Sequence, residues 1–156
     1  MNTKRPGWLF LLPLLGLGLQ AGAGPTSNVE QEVRAIEQKW NDAYGRNDLH
    51  TYFSYYAPDV IQMLPEGITD LAKYEKDWTD YVQAGNKVQS VEIRNAVVRV
   101  SPAEDSAVFM YVLYVKTKLA DEKITEEENQ ETDVWFKRNG EWKVAALHYS
   151  PVPTKK

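Results

Sequence analysis

Glu131 and Asp133, two residues apart, and His148 beyond them are the side chains in this chain best suited to moving protons. On one face of a strand, residues i and i+2 stand roughly 7 Å apart. Burial and like-charge repulsion at that spacing can raise one carboxyl above the other and divide acid and base roles. The same pair could equally be a solvated sheet edge, since Glu126, Glu127 and Glu128 run just ahead of it. His148 could carry a proton near neutral pH, or be hydrogen-bonded structurally at a strand end or subunit interface. Glu37 lies about one helical turn from both Val33 and Trp40, so it shares their apolar face. A carboxylate buried there needs a partner, either a tyrosine hydroxyl or a ligand cation.

An aromatic supply surrounds these acids: Trp40, Tyr44, Tyr56, Trp78, Tyr81, Tyr111 and Trp135. Aromatic stripes are usually core. Those that line a cavity among carboxylates would favour an apolar or cationic small molecule, through packing and cation–π attraction. Two histidines and no cysteine argue against a structural zinc site, and no cofactor is implied. An acidic chain without a basic run is ill suited to nucleic acid.

These residues must be positioned by elements that the pattern predicts. Residues 1–23 read as a signal peptide: Lys4 and Arg5, an apolar stretch from Trp8 to Leu19, then Ala21-Gly22-Ala23 as a small-x-small cleavage site. About a dozen apolar residues are too few for a span, which needs roughly 20. The expectation is export, with the protein secreted or periplasmic. Residues 24–156 suit one domain. The 18 basic residues less Lys4 and Arg5, against 22 acidic ones, leave it a formal charge of −6.

Ser27 followed by Glu30 reads as a capping box opening a helix whose stripe is Val29, Val33, Ile36, Trp40 and Tyr44. Asp48 caps a second, short helix that Pro58 ends, and Val60 to Leu64 reads as a short strand. Asp70 to Ala84 is a third helix with Leu71, Tyr74, Trp78 and Tyr81 on one side. Four strands follow, over 88–100, 106–118, 125–138 and 142–152, separated by turn residues. The plan is α+β, with N-terminal helices against a bent antiparallel sheet. At Asn139-Gly140 a two-residue turn pairs Arg138 with Glu141, whereas a three-residue loop pairs Lys137 with Glu141 and keeps odd positions beside odd.

The segments Glu131-Thr132-x-Val134-Trp135, Gly140-x-Trp142 and His148-x-Ser150 resemble the final hairpin of the nuclear-transport-factor-2-like (SnoaL-like) superfamily. So do Ile36-Glu37-Gln38, Asn47-Asp48 and Pro65-Glu66 in their places. The chain is most similar to the association domain of calcium/calmodulin-dependent kinase II and its stand-alone bacterial relatives. The resemblance implies a cone-shaped sheet enclosing a pocket against the first helix. It also implies that pocket positions 133 and 149 share a face, which favours the three-residue loop. The inner face would then carry Glu131, Asp133, Trp135, Ala145, Leu147 and Tyr149. The outer face would carry Thr132, Val134, Phe136, Trp142, Val144, Ala146 and His148, too apolar for water.

In the association domains three arginines enter the pocket. Here those positions carry Leu113, Asp133 and Tyr149, so capture of a carboxylate is not expected. In the related ketosteroid isomerases a tyrosine and an aspartate act where this chain has Trp40 and Leu64, which cannot move protons. The leading expectation is an exported small-molecule-binding domain, dimeric or a higher homo-oligomer, with Glu37 and Asp133 as polar anchors. The alternatives are a cofactor-free SnoaL-type isomerase, cyclase or dehydratase using Asp133, Glu131 or His148, and an oligomerisation module.

Overall fold

The computed structural model describes residues 27–153. The expected signal peptide, residues 1–23, lies outside that range. Ser27 caps the first helix, α1 (Asn28–Gly45), its hydroxyl accepting the Glu30 backbone N–H at 3.1 Å. The return arm of the capping box is absent, because the Glu30 carboxylate pairs with Arg34 instead. Val33, Glu37, Trp40 and Ala43 face inward at three- and four-residue spacing, which presses this helix on the sheet. Asp48 caps α2 (Leu49–Ser54) through the Thr51 N–H.

Strand β1 (Tyr56–Leu64) starts earlier than the sequence suggests, and Pro58 lies inside it rather than ending the helix. Proline is tolerated there because the pairing of β1 to its neighbour is broken between Tyr56 and Ile61, where no ladder donor is needed. A three-residue strand, β2 (Gly67–Thr69), returns beside β1; it is too short to show any periodicity. Then come α3 (Leu71–Gln83), capped by Asp70, and four long strands: β3 (Lys87–Val100), β4 (Ser106–Lys118), β5 (Ile124–Arg138) and β6 (Glu141–Pro151).

The sheet order is β2-β1-β6-β5-β4-β3. The meander β3 to β6 is antiparallel as expected, but β1 pairs with β6 in parallel, so the curved sheet is mixed. Alternation along one strand reveals which side chains share a face, but not the direction of a neighbour distant in sequence. Among the described residues no helix is long and apolar enough to cross a membrane.

The final hairpin resolves the register question in an unexpected way. Its turn has two residues: Asn139 and Gly140 both take positive φ, at 53° and 84°, and Arg138 pairs with Glu141. That geometry matches the twist of the flanking strands. A bulge then restores the parity that a three-residue loop would have set. Trp135 pairs with Val144 but Val134 pairs with Ala146, leaving Ala145 unopposed. Asp133, Leu147 and Tyr149 therefore face inward as expected. Trp142 and Val144, expected outside, lie on the turn side of the bulge, face inward and are 5 % and 0 % exposed.

Asn47 joins the helices to the far edge of the sheet. Its backbone is left-handed, φ 57°, and its side-chain amide both donates to the Val88 carbonyl and accepts the Val88 N–H, each at 2.9 Å. The amide thus imitates a neighbouring strand at the start of β3. Asn47→Ala should lose both bonds and strain the backbone, costing about 2–3 kcal/mol by urea unfolding. Asn47→Gly, which keeps the φ, should cost less. Equal losses would show that the backbone strain contributes nothing.

Candidate functional site

On the inner face the strand registers stack side chains into rows. Nearest the hairpin turn, Val144, Trp135 and Ala107 stand side by side. The next row runs Gln62, Leu147, Asp133, Phe109 and Val98 across five strands, and all five are buried. Above it Glu131 stands between Tyr111 and Tyr149. Beyond that come Asn129 beside Leu113, Glu127 beside Val115, and Thr125 beside Thr117.

Helix α1 closes the lower rows. Trp40, 1 % exposed, meets Trp135 edge-on at 5.6 Å, stacks on Tyr52 at 5.3 Å and donates its indole N–H to the Tyr52 carbonyl. Glu37, fully buried, accepts the Trp135 indole N–H on Oε2 and the Asn41 amide on Oε1, both at 2.8 Å. Asn41 also reaches the Tyr111 hydroxyl at 3.4 Å.

Three acids thus share this wall of the fold without an ion pair among the described residues. Burial, only partly offset by the Trp135, Tyr111 and Asn41 side chains, pushes the Glu37 carboxyl up to about 7. Burial and the neighbouring Glu37 charge push Glu131 up to about 8. Asp133 is raised well above its ordinary value by burial first, then by Glu37 and Glu131. Neither Asp133 oxygen has a hydrogen-bond partner, and the Gln62 amide, across Leu147 in the same row, has none either. Glu37 and Tyr111 stand near Asp133 but do not meet it in hydrogen-bond geometry. Glu37 differs from the other two in accepting two firm hydrogen bonds, which favour its charged form.

Above this plug a cavity of about 120 Å³ remains. Helix-borne Trp40, Asn41, Tyr44, Tyr52, Tyr74, Trp78 and Tyr81 form one wall. Leu113, Val115, Thr117, Thr125, Glu127, Asn129, Glu131 and Tyr149 form the other, and Glu127, which is exposed, marks its mouth. A dry cavity of about 150 Å³ holds benzene, so this smaller one accommodates about five non-hydrogen atoms. The helical rings brace one another, Tyr44 against Trp78 and Trp78 against Tyr81, both edge-on at 5.2 Å.

Of the candidate residues, Trp40, Tyr44, Trp78, Tyr81, Leu113, Glu131 and Tyr149 line the cavity. Glu37, Tyr56, Tyr111, Asp133 and Trp135 lie in the packed layer beneath it. Of the three buried acids, Glu131 alone reaches the cavity, while Glu37 and Asp133, expected as polar anchors, lie in the layer beneath it. His148 is on the opposite face of the sheet, exposed and paired with Thr132, so it shares no space with the acids. Where an isomerase-like acid–base pair would stand, Trp40 is locked by its hydrogen bond and Leu64 is partly buried. Sequence reasoning passed over Asn41, Glu127 and Asn129 as site residues. The first lies one helical turn past Glu37, and the other two share the parity of Glu131, which were the signals that could have found them.

The sequence profile of the calcium/calmodulin-dependent protein kinase II association domain matches residues 29–153. A solved protein from Xanthomonas campestris, described as such an association domain, is 26% identical, with a TM-score of 0.69 over 85% of this chain and 94% of that one. The association domain of the C. elegans kinase is 22% identical, TM-score 0.65, over 78% and 94%. A nuclear-transport-factor-2-like protein from Rhodospirillum rubrum is also 22% identical, TM-score 0.66, over 78% and 98%. Among curated protein sequences none matches significantly.

Proposed function

We propose an assembling role for this chain, which belongs to the calcium/calmodulin-dependent protein kinase II association-domain family: it forms homo-oligomers through the outer face of its sheet. The observation that carries this is a row of side chains crossing all six strands away from the helices. Val97, Met110, Thr132, His148, Met63 and Ile68 are successive cross-strand partners. Its apolar members are 40% to 74% exposed. The adjoining row adds Val108, Val134, Ala146 and Ile61. Six strands give a face about 24 Å across, wide enough for the roughly 800 Å² per partner of a stable interface. An apolar area this continuous favours a protein partner over water.

Met63→Lys combined with Met110→Lys should convert an oligomer into a folded monomer, read by sedimentation velocity beside circular dichroism. A wild-type chain that sediments as a monomer at every concentration would remove this reading.

A second reading is supported by the cavity: the domain holds a small molecule above its acidic plug. Trp78→Leu, which strips a helical wall, should then weaken retention of any molecule that co-purifies with the protein. The apolar leader Trp8–Leu19 and its Ala21-Gly22-Ala23 end support export, so that the domain works outside the cytoplasm. The mass of the protein recovered from its own cells tests that, 1–23 being absent if it is right.

A further inference from the structure

Resting on the cavity reading above, we propose that the cavity recognises a small organic cation, of the size of a tetraalkylammonium or methylated amine. Two independent features converge on that charge. The first is Glu131: it lines the cavity, is only 9% exposed, and no ion pair or hydrogen bond from a described side chain engages its carboxyl. The Tyr111 hydroxyl stands near enough to ease its ionisation slightly, yet without hydrogen-bond geometry. The second is the wall itself. Trp40, Tyr44, Trp78 and Tyr81 present aromatic surface to the same space, and among the described residues no lysine or arginine lines it.

Ring faces attract a cation that has shed water, and quaternary ammonium groups are bound this way in aromatic cages. An arriving positive charge supplies the counter-ion that the fold withholds from the buried Glu131 carboxyl and favours its ionised form. Glu127 at the mouth, two strand repeats from Glu131, adds a second negative group along the entry path. A carboxylate ligand would meet both acids and no cation. A neutral one would leave Glu131 as it stands.

The experiment is calorimetric titration of the full-length protein with tetramethylammonium chloride, tert-butanol and propionate, three probes with the same count of non-hydrogen atoms and different charge. The indole N–H resonances of the protein are followed by NMR in parallel. Tetramethylammonium should bind at least ten-fold more tightly than tert-butanol, and propionate should not bind. Glu131→Gln should abolish that preference, weakening tetramethylammonium at least ten-fold more than it weakens tert-butanol. Equal binding of tetramethylammonium and tert-butanol would overturn the charge assignment but leave the cavity reading standing. Binding of none of the three would overturn both. If Glu131→Gln fails to fold, Trp78→Leu provides the check on the ring wall. It should weaken tetramethylammonium more than tert-butanol, and an equal loss for both would overturn the proposal.

Discussion

Raising the pH from about 5 to about 8 is expected to make this domain less stable, against the usual trend for a chain rich in acids. The reason lies in Glu37, Glu131 and Asp133, whose folded-state carboxyls all ionise later than they would in an open chain. The sign follows from proton counting. Above the ordinary glutamate value of 4.5 the unfolded chain has released these protons while the fold still holds them. The unfolded state then binds fewer protons, so stability falls with rising pH.

The fall starts near 4.5 for the glutamates and ends once the folded carboxyls ionise too, near 7 for Glu37 and near 8 for Glu131. Because Glu37 raises Glu131 and Asp133, and Glu131 raises Asp133, the three act as one coupled set. Together they withdraw on the order of 3–5 kcal/mol over the window, a large part of the roughly 5–15 kcal/mol typical of a domain. On the acid side two aspartates outside the core act in the opposite sense. Asp48 and Asp59, held low by Thr51 and Arg138, withdraw their contribution as pH drops below their ordinary value of 3.8. Maximum stability should therefore fall near pH 4, between the ordinary aspartate and glutamate values of 3.8 and 4.5. Urea unfolding at pH 5, 6, 7 and 8 measures the slope, and the Glu131→Gln, Asp133→Asn double variant should flatten most of it. A wild-type profile level between pH 5 and 8 would show that these acids are not sealed from water.

Trp40→Ala should cost about 3–5 kcal/mol, as removal of a fully buried tryptophan does. Trp40 is 1% exposed and touches Tyr52, Tyr56 and Trp135 at ring-centre distances of 5.3, 5.4 and 5.6 Å. Its loss would also leave the Tyr52 carbonyl without the indole donor and open the cavity onto the buried acids beneath. Trp78, on a helix with no fully buried residue, should cost far less when cut to alanine. The two midpoints in urea should separate clearly. Similar costs would mean that Trp40 does not hold the lower rows of the cone together.

Much of this was legible from the residues in order. The capping residues Ser27, Asp48 and Asp70 sit at the helix starts where side-chain oxygens meet free N–H groups. The odd-numbered inward face of β4 and β5 follows from strict alternation. Local rules set both, so no distant contact was needed to read them. Three things were decided by packing between segments far apart in sequence. The parallel direction of β1 beside β6 is one. The Ala145 bulge, which turns Val144 and Trp142 inward, is another.

The third is the depth of the acids. Glu131 and Asp133 are alike in a string of letters, and both point inward as their parity requires. Glu37 and Trp40 of helix α1 pack into the layer that buries Asp133, whereas the next turn, with Asn41 and Tyr44, leaves a cavity beside Glu131. One carboxyl thereby became part of the floor and the other was left facing the cavity. Side-chain type and spacing determined that acids and rings would share a face. Only the height at which a helix packs on a curved sheet decided which of them a ligand could touch.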